Sequence, residues 1–337
     1  MPPDPTAALS GLGFELVQPS AGEASVHCVG RDGFRVQSRR PAMGTLVSVT
    51  TIHESAALGE DAIGRAFEEM DRLIAIFSRY NETSALSVLN AEGRLESPPP
   101  ELALLLSAAL SYHRLSDGAF DPTVAPLVDL FRACLTGPVP HEPTAAEIAE
   151  ARELVGAGAI TASRRRLRLA RRGTALTLDG IAKGFIVDRM AATLERAGID
   201  RYVVEAGGDL RTGGNKEGGL PWAVAVRDPE SAGRLPGTIH LAGAAVATSG
   251  SYERYYDPER RFHHIVDAAR GASPRACTSA TVVAPRATAA DALATAVLVL
   301  GPCAGAALVE SLPGCACLIV CSDGSVTHSL GWKESPQ

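Results

Sequence analysis

The segment Thr174-Ala-Leu-Thr-Leu-Asp-Gly-Ile-Ala-Lys-Gly-Phe-Ile-Val-Asp188 constrains the fold more than any other part of the chain. It opens as an alternating run, Ala175, Leu176, Thr177 and Leu178, which predicts a strand. It turns at Asp179-Gly180 and continues with Ile181, Phe185, Ile186, Met190, Leu194 and Ala197 spaced by three or four, a helical pattern that stops at Gly198. A strand that enters a helix through a glycine turn leaves unpaired N–H groups at the helix start, and such a start suits an anion. Lys183 and Gly184 lie in the first turn, where the lysine reaches the same anion and the glycine permits close approach. Taken alone, the segment reads as an ordinary strand–helix joint with a solvated lysine.

The chain is 337 residues long and 46% hydrophobic, which supports a sizeable core in one large domain or two. A formal charge of -6 argues against nucleic acid as the main partner, because phosphate backbones attract basic faces. The triplet Arg164-Arg165-Arg166, with Arg168, Arg171 and Arg172, reads as a solvated turn or edge strand. Seven cysteines, Cys28, Cys134, Cys277, Cys303, Cys315, Cys317 and Cys321, include no CxxC and no Cys/His ligand spacing. Neither a zinc site nor a disulfide framework is expected, and Cys315, Cys317 and Cys321 fall in an apolar run where cysteine acts as a small hydrophobe. Met1 to Ser20 has neither a basic n-region nor an apolar h-region, and no run approaches a membrane span. As written, the sequence predicts a cytoplasmic protein, or a periplasmic one if a leader has been removed.

Residues 1–33 carry weak signals and are expected to form a loosely attached arm ahead of a domain over 34–337. Leu46 to Thr50 predicts a strand, and Ile63, Ala66, Phe67, Met70, Leu73, Ile74 and Phe77 line one face of a helix that begins near Asp61. Tyr80 stands at that helix's exit, where an aromatic ring is commonly packing. A second helix is expected from Glu101 to Leu115, followed by Gly118-Ala119-Phe120-Asp121-Pro122-Thr123-Val124-Ala125-Pro126-Leu127, whose two prolines specify a fixed irregular backbone. Thr144-Ala-Ala-Glu147 is a capping box for a helix reaching about Val155. Strands follow at Tyr202–Ala206, Trp222–Val226, Ala244–Thr248, His263–Asp267 and Ser279–Ala284. Thr288 is the expected N-cap of a helix from Ala289 to Leu300, closed by Gly301-Pro302. Asp291 and Thr295, four apart, share one face of that helix and offer two hard oxygens to a magnesium ion, although an acid at the third helical position is favourable for the dipole alone. Helices mixed with antiparallel strands, without regular βαβ alternation, predict an α+β fold, and no GxGxxG opens a helix.

Taken in order, Met43-Gly44-Thr45, Ser78-Arg79-Tyr80, Gly118-Ala119-Phe120-Asp121 and Leu178-Asp179-Gly180-Ile181-Ala182-Lys183-Gly184 resemble the motifs of the ApbE flavin transferases. The resemblance continues through Ala206-Gly207-Gly208-Asp209, Thr248-Ser249-Gly250, His264-Ile265-Val266-Asp267 and Ala290-Asp291-Ala292-Leu293-Ala294-Thr295, and covers about Arg40 to Ser322. It implies a two-lobed α+β fold with flavin bound between the lobes, and an FAD:protein FMN transferase. Such an enzyme cleaves the pyrophosphate of FAD, joins FMN to a threonine or serine of an acceptor protein and releases AMP, using magnesium. By the same resemblance, Met43, Tyr80, Ala119, Phe120, Asp121, Lys183 and Ile265 correspond to FAD contacts. Gly180 (through its carbonyl), Asp291 and Thr295 correspond to magnesium ligands, and His264 to the catalytic base.

Two positions depart from the family pattern. Thr177 stands where the family commonly has an acid that contacts FAD, so Asp179 in the neighbouring turn is the candidate substitute. Ala268 replaces the proline of the family's Asp-Pro and leaves that loop less constrained. The chemistry suits the residues independently, since pyrophosphate cleavage requires neutralisation of developing charge, which magnesium and Lys183 supply. An acceptor hydroxyl requires a base with a pKa near neutrality, for which histidine is the usual choice, although His263-His264 are otherwise two strand residues facing opposite sides. Two alternatives share every motif: a magnesium-dependent FAD pyrophosphatase giving FMN and AMP, and a catalytically silent FAD-binding or assembly protein.

Overall fold

The computed structural model describes residues 24–163, 165–228 and 234–333. The fold is α+β, built on a nine-stranded antiparallel sheet of β1 (Ser25–Cys28), β2 (Phe34–Ala42), β3 (Thr45–His53), β7 (Tyr202–Ala206), β8 (Asp209–Gly213), β11 (Ala245–Gly250), β12 (Cys277–Ala284), β13 (Ala316–Cys321) and β14 (Val326–His328), in that spatial order. Two smaller sheets accompany it, the hairpin of β9 (Trp222–Val226) and β10 (Gly237–Leu241), and a three-stranded sheet of β4 (Arg94–Glu96), β6 (Arg166–Leu169) and β5 (Ile160–Ala162). Because β1 pairs with β2, the sheet takes up chain ahead of Phe34, while residues 1–23 lie outside the described residues. No helix among the described residues is long and apolar enough to cross a membrane.

Among the described residues the α-helices are α1 (Ala56–Phe77), α2 (Ala85–Glu92), α3 (Pro100–Leu115), α4 (Ala125–Thr136), α5 (Ala145–Glu153), α6 (Ala182–Arg196), α7 (Ala287–Leu300) and α8 (Pro302–Glu310). The periodic face read for α1 is buried, and the helix starts earlier than expected because Ser55 Oγ accepts the N–H of Leu58. The Thr144–Glu147 capping box of α5 is present in full. Helix α4 escapes the sequence reading because Pro122 and Pro126 mask its start; Pro126 sits in its first turn, where a missing N–H costs nothing.

Helix α6 packs against both α1 and α7, and Phe67, Met70, Leu73, Phe185, Ile186, Met190 and Leu194 are buried in the core they share with β3 and β7. The far half of the sheet is buried on both faces. Cys317, Ile319 and Cys321 of β13 join the core under α7, while Ala316, Leu318 and Val320 pack with Val226, Ile239 and Leu241 of the β9–β10 hairpin. These cysteines are free thiols that fill volume, as expected.

Four local expectations are corrected. Thr174–Leu178 is extended but is no strand: its backbone bonds go to Pro122 O, which accepts from Thr177 N (2.8 Å), and to the Asn90 side chain, which bridges Leu176 N and O (2.8 and 2.9 Å). His263–Asp267 likewise forms only isolated bridges, Tyr255 with His263 and Asp267 with Ala272. Arg166 and Arg168 lie on the central strand of the small sheet, not an edge, with Leu167 and Leu169 turned into the core; Arg164 is outside the described residues. Thr288 is the second residue of α7, which begins at Ala287, and its cap comes from another helix. Asp188 of α6 accepts from Ala287 N (3.0 Å), Thr288 N (2.9 Å) and Thr288 Oγ1 (2.6 Å), and pairs with Arg211 (2.7 Å).

Asp188→Ala would uncap α7 and leave the half-buried Arg211 without its closest carboxylate. The expected cost is about 2 kcal/mol, the upper end for a lost cap, read as a lower urea midpoint at unchanged m-value.

Candidate active site

The turn at Asp179-Gly180 and the first turn of α6 meet α7 almost backbone to backbone. A Cβ on Gly184 would lie 2.3 Å from Ala287 O and 2.8 Å from Asp291 Cβ, so only glycine lets the helices approach this closely. The N–H of Gly184, which in a regular helix start would bond to the carbonyl of Gly180, donates instead to Asp291 Oδ2 at 2.9 Å. No hydrogen bond among the described residues ends on Gly180 O, which leaves a carbonyl oxygen available. Thr295 lies beside it: a Cβ on Gly180 would be 2.8 Å from Thr295 Oγ1, and that hydroxyl is 3.1 Å from Ser249 Oγ of β11.

Lys183 crosses from this helix start to Asp209 at the head of β8, with Nζ 3.3 Å from Oδ2. The contact is an ion pair without hydrogen-bond geometry, and Asp209 Oδ2 has no other partner. Burial would lower the lysine pKa, but the surrounding charges of Asp209, Asp291 and Glu253 outweigh it and hold the ammonium protonated. Burial raises Asp209 to about 6 despite Lys183. Asp291 is pushed well above the ordinary carboxylate range by its own burial and then by the charge of Asp209. It is the fifth residue of α7, not the third, and only 4% exposed, which excludes a simple helix-dipole role. One lysine thus faces three carboxylates, an excess of negative charge that a divalent cation would neutralise. The free carbonyl of Gly180, the Asp291 carboxylate and the Thr295 hydroxyl are the hard oxygens that magnesium prefers, so the residues present fit that ion.

His264 stands across from this cluster. Burial, then the neighbouring His263, depresses its pKa to about 4, so the imidazole is neutral at physiological pH. Its Nδ1 is enclosed and without a partner, while Nε2 lies 3.8 Å from Glu253 Oε2. Glu253 is 38% exposed at the side chain, yet enough protein surrounds it to raise its pKa. His263 has the opposite role. It is 2% exposed, with Nε2 2.9 Å from Pro274 O and Nδ1 accepting the N–H of Ile265 at 3.3 Å, so it braces the loop. Ile265 is buried against β11 and α7. Ala268 leaves the loop intact, because Asp267 Oδ1 accepts from both Ala269 N (2.9 Å) and Arg270 N (3.1 Å) and closes the turn without proline.

The other candidate residues border this centre at varying distance. Met43 and Gly44 form the two-residue loop of the β2–β3 hairpin at φ of 53° and 74°, and an unbranched but bulky methionine there is strained, which suits a position held for function. Tyr80 is 65% exposed with the guanidinium of Arg79 5.8 Å from its ring centre, so it is a surface platform and not core packing. Partial burial, then the charge of exposed Asp179, raises its pKa. Thr177 is turned inward, its Oγ1 accepting Asp179 N at 3.2 Å, so the threonine shapes the turn that presents the Asp179 carboxylate. Phe120 is buried, its ring edge facing Gly180. Asp121 is engaged by Thr123 N (2.7 Å) and lies 3.5 Å from His113 Nδ1. With Ala119 it borders a cavity of about 670 Å³ shared with Arg152, Asp267 and Arg270, which opens on that side and not over Lys183. Asp209, Ser249 and Glu253 were not singled out by sequence reasoning as acting residues. The first two lie within the Gly-Gly-Asp and Thr-Ser-Gly motifs, whereas Glu253 has no local signal.

Asp291→Asn keeps an acceptor for Gly184 N–H and removes a buried charge repelled by Asp209. In magnesium-free buffer it should be as stable as the parent or more so, by on the order of 1 kcal/mol, as read by urea unfolding. A markedly lower midpoint would mean that the carboxylate is held by partners other than those described here.

A profile of the ApbE family matches residues 43–319. The FAD:protein FMN transferase of Treponema pallidum is 32% identical over 324 residues, covering 90% of each chain, and that of Haemophilus influenzae is 30% identical, covering 85% of this chain and 87% of its own. Among solved structures, the ApbE protein of Thermotoga maritima superposes with a TM-score of 0.79 at 33% identity, covering 88% of this chain and 97% of its own. The flavinyl transferase ApbE of Pseudomonas stutzeri superposes with a TM-score of 0.77 at 28% identity, covering 94% and 97%. Motifs, fold and relatives agree over most of the chain's length, and the chain belongs to the ApbE family.

Proposed function

We propose that this chain is a magnesium-dependent FAD:protein FMN transferase, joining FMN from FAD to a threonine or serine hydroxyl of an acceptor protein and releasing AMP. The observation that carries this reading is the pairing of one protonated lysine with the Gly180, Asp291 and Thr295 oxygens on a glycine-tight helix junction, facing a neutral histidine. The relatives, FAD:protein FMN transferases and a flavinyl transferase, support the same reaction. Magnesium bound by those three oxygens would neutralise charge on the pyrophosphate and orient it.

The chain's own residues supply the rest. Lys183, kept charged by its carboxylate neighbours, stabilises negative charge that builds on the pyrophosphate as its P–O bond breaks. The flavin ring rests on the exposed face of Tyr80, with Met43 at the hairpin tip, Ala119 to Asp121, Asp179 and Ile265 completing the FAD surface. The acceptor oxygen forms a bond to the FMN-side phosphorus while AMP departs with the bridging oxygen. The acceptor's proton passes to His264 at Nε2, because Nδ1 is enclosed. Glu253, 3.8 Å from that atom, stabilises the imidazolium that results. An anionic pyrophosphate nearby raises the histidine's pKa from its depressed value and makes it a better base in the complex.

The decisive assay incubates the protein with FAD, magnesium and a peptide bearing the target threonine. Covalent flavin fluorescence on the peptide with one AMP per label is expected; AMP without label makes the protein a pyrophosphatase, and neither product makes it a silent binder.

His264→Ala should lower transfer by roughly 10²–10⁴-fold while FAD affinity survives. The parent's kcat/KM should be flat above about pH 6 and fall toward pH 4 as free His264 protonates, since that pKa is about 4. Both histidines have lowered pKa values, so below the ordinary histidine range the unfolded chain binds protons that the folded one does not, and stability declines over the same acid window. Circular dichroism at each pH separates the two effects. His263→Ala should instead cost stability, about 1–3 kcal/mol from the partners it abandons. Tyr80→Ala should weaken FAD binding by on the order of 1–3 kcal/mol, measured by fluorescence titration; an unchanged affinity would remove Tyr80 from the flavin site.

A further inference from the structure

Away from this centre, three side chains converge where α4 returns to α5. The Cys134 sulfur at the end of α4, a His141 ring nitrogen in the connecting loop and a carboxylate oxygen of Glu147 in α5 all lie within 4.8 Å of one another. His141 Nε2 is 3.5 Å from Glu147 Oε1. We infer that Cys134, His141 and Glu147 form a binding site for a divalent cation of the zinc class, with water as the fourth ligand.

Each donor is already aimed and its other atoms are occupied. His141 Nδ1 is 3.4 Å from Val139 O, a contact that turns the ring so that Nε2 faces the cluster. That arrangement, an imidazole anchored through its second nitrogen, is how metal-bound histidines are held. Glu147 Oε2 serves the capping box, accepting from Thr144 N at 2.8 Å and Thr144 Oγ1 at 2.7 Å, which leaves Oε1 turned toward His141. The connecting loop carries Pro138, Pro140 and Pro143, and His141 N donates to Cys134 O at 2.9 Å, so the histidine's position is set before any ligand arrives. Zinc bonds of about 2.0–2.2 Å to nitrogen and oxygen put tetrahedral N and O ligands roughly 3.3–3.5 Å apart, matching the His141–Glu147 separation. A thiolate and a carboxylate together cancel the charge of a dication, and a sulfur donor selects against magnesium. A thiol ligates as thiolate, so uptake of the ion releases a proton to buffer.

The site would clamp the α4–α5 pair. Phe131 of α4 and Ile148 of α5 pack in one cluster with Tyr256, Phe262 and Val266, the last two of which lie on either side of His263 and His264 in the chain. A cation here therefore braces the platform under the histidine loop without touching the reacting groups.

The test uses tag-free full-length protein, stripped with chelator and returned to magnesium buffer, and titrated with cobalt(II) and zinc(II). One cobalt per chain with a thiolate-to-metal charge-transfer band, displaced by one zinc, is the expected result. His141→Ala, an exposed position that leaves the fold intact, should weaken binding by more than the 10–100-fold that loss of an outer partner costs. Cys134→Ser should abolish the band, and Cys303→Ser, at an exposed cysteine elsewhere, should leave it unchanged. No stoichiometric binding by the parent protein, or a band that persists in both Cys134→Ser and His141→Ala, would overturn the proposal.

Discussion

The hydrogen bond from Gly184 N to Asp291 Oδ2 is the contact on which the rest of the centre depends. It ties the first turn of α6 to α7 across 107 residues of sequence, and it exists only because Gly184 has no side chain to hold the two backbones apart. Diverting that N–H from the helix has a second effect, which is to leave the Gly180 carbonyl without an internal partner. A buried acid, a free carbonyl and the Thr295 hydroxyl are therefore consequences of one packing decision. The same two helices are joined again at Asp188, whose carboxylate satisfies the first amides of α7. The junction is thus held on both sides of the site, which fixes the oxygens relative to Lys183.

Electrostatically, the centre is built in deficit. Asp209, Asp291 and Glu253 surround a single lysine; burial raises the pKa of all three, and the charge of Asp209 adds to that effect at Asp291. Such an arrangement is unfavourable for the protein alone and becomes favourable when positive charge arrives. The strain at Met43 and the exposed ring of Tyr80 follow the same logic at the periphery: Met43 packs against the core yet holds a left-handed backbone, and Tyr80 leaves its ring 65% exposed.

The two departures from the family pattern have structural answers. Thr177 lacks a carboxylate, but its hydroxyl accepts the amide of Asp179 and so helps to present one from the next turn. Ala268 lacks proline's rigidity, but Asp267 closes the loop through two backbone amides. The orientation of the His263–His264 pair is set by local partners and not by strand geometry. His263 is consumed in bracing Pro274 and Ile265, which leaves His264 as the histidine turned to the carboxylates.

The sequence by itself determined whatever is written in short-range periodicity or in a local motif. The buried faces of α1 and α6, the alternation of β7 and β9, the capping box of α5 and the order of the glycine-containing motifs were all legible, because each depends on residues three or four apart or on turn chemistry. Only the tertiary structure decided what depends on partners far along the chain. Thr174–Leu178 and His263–Asp267 have the composition of strands, yet Pro122, Asn90 and Arg254 took up their backbone groups before any ladder could. Thr288 reads as a cap, yet an aspartate from another helix performs that service. Asp291 reads equally as an acid placed for the helix dipole, and its burial is decided by what packs over that position. Cys134, His141 and Glu147 have no ligand spacing in the sequence and meet only because a proline-rich loop folds back on its own helix. Local pattern carries backbone preference; burial and charge environment are properties of contacts, and contacts exist only once the chain has folded.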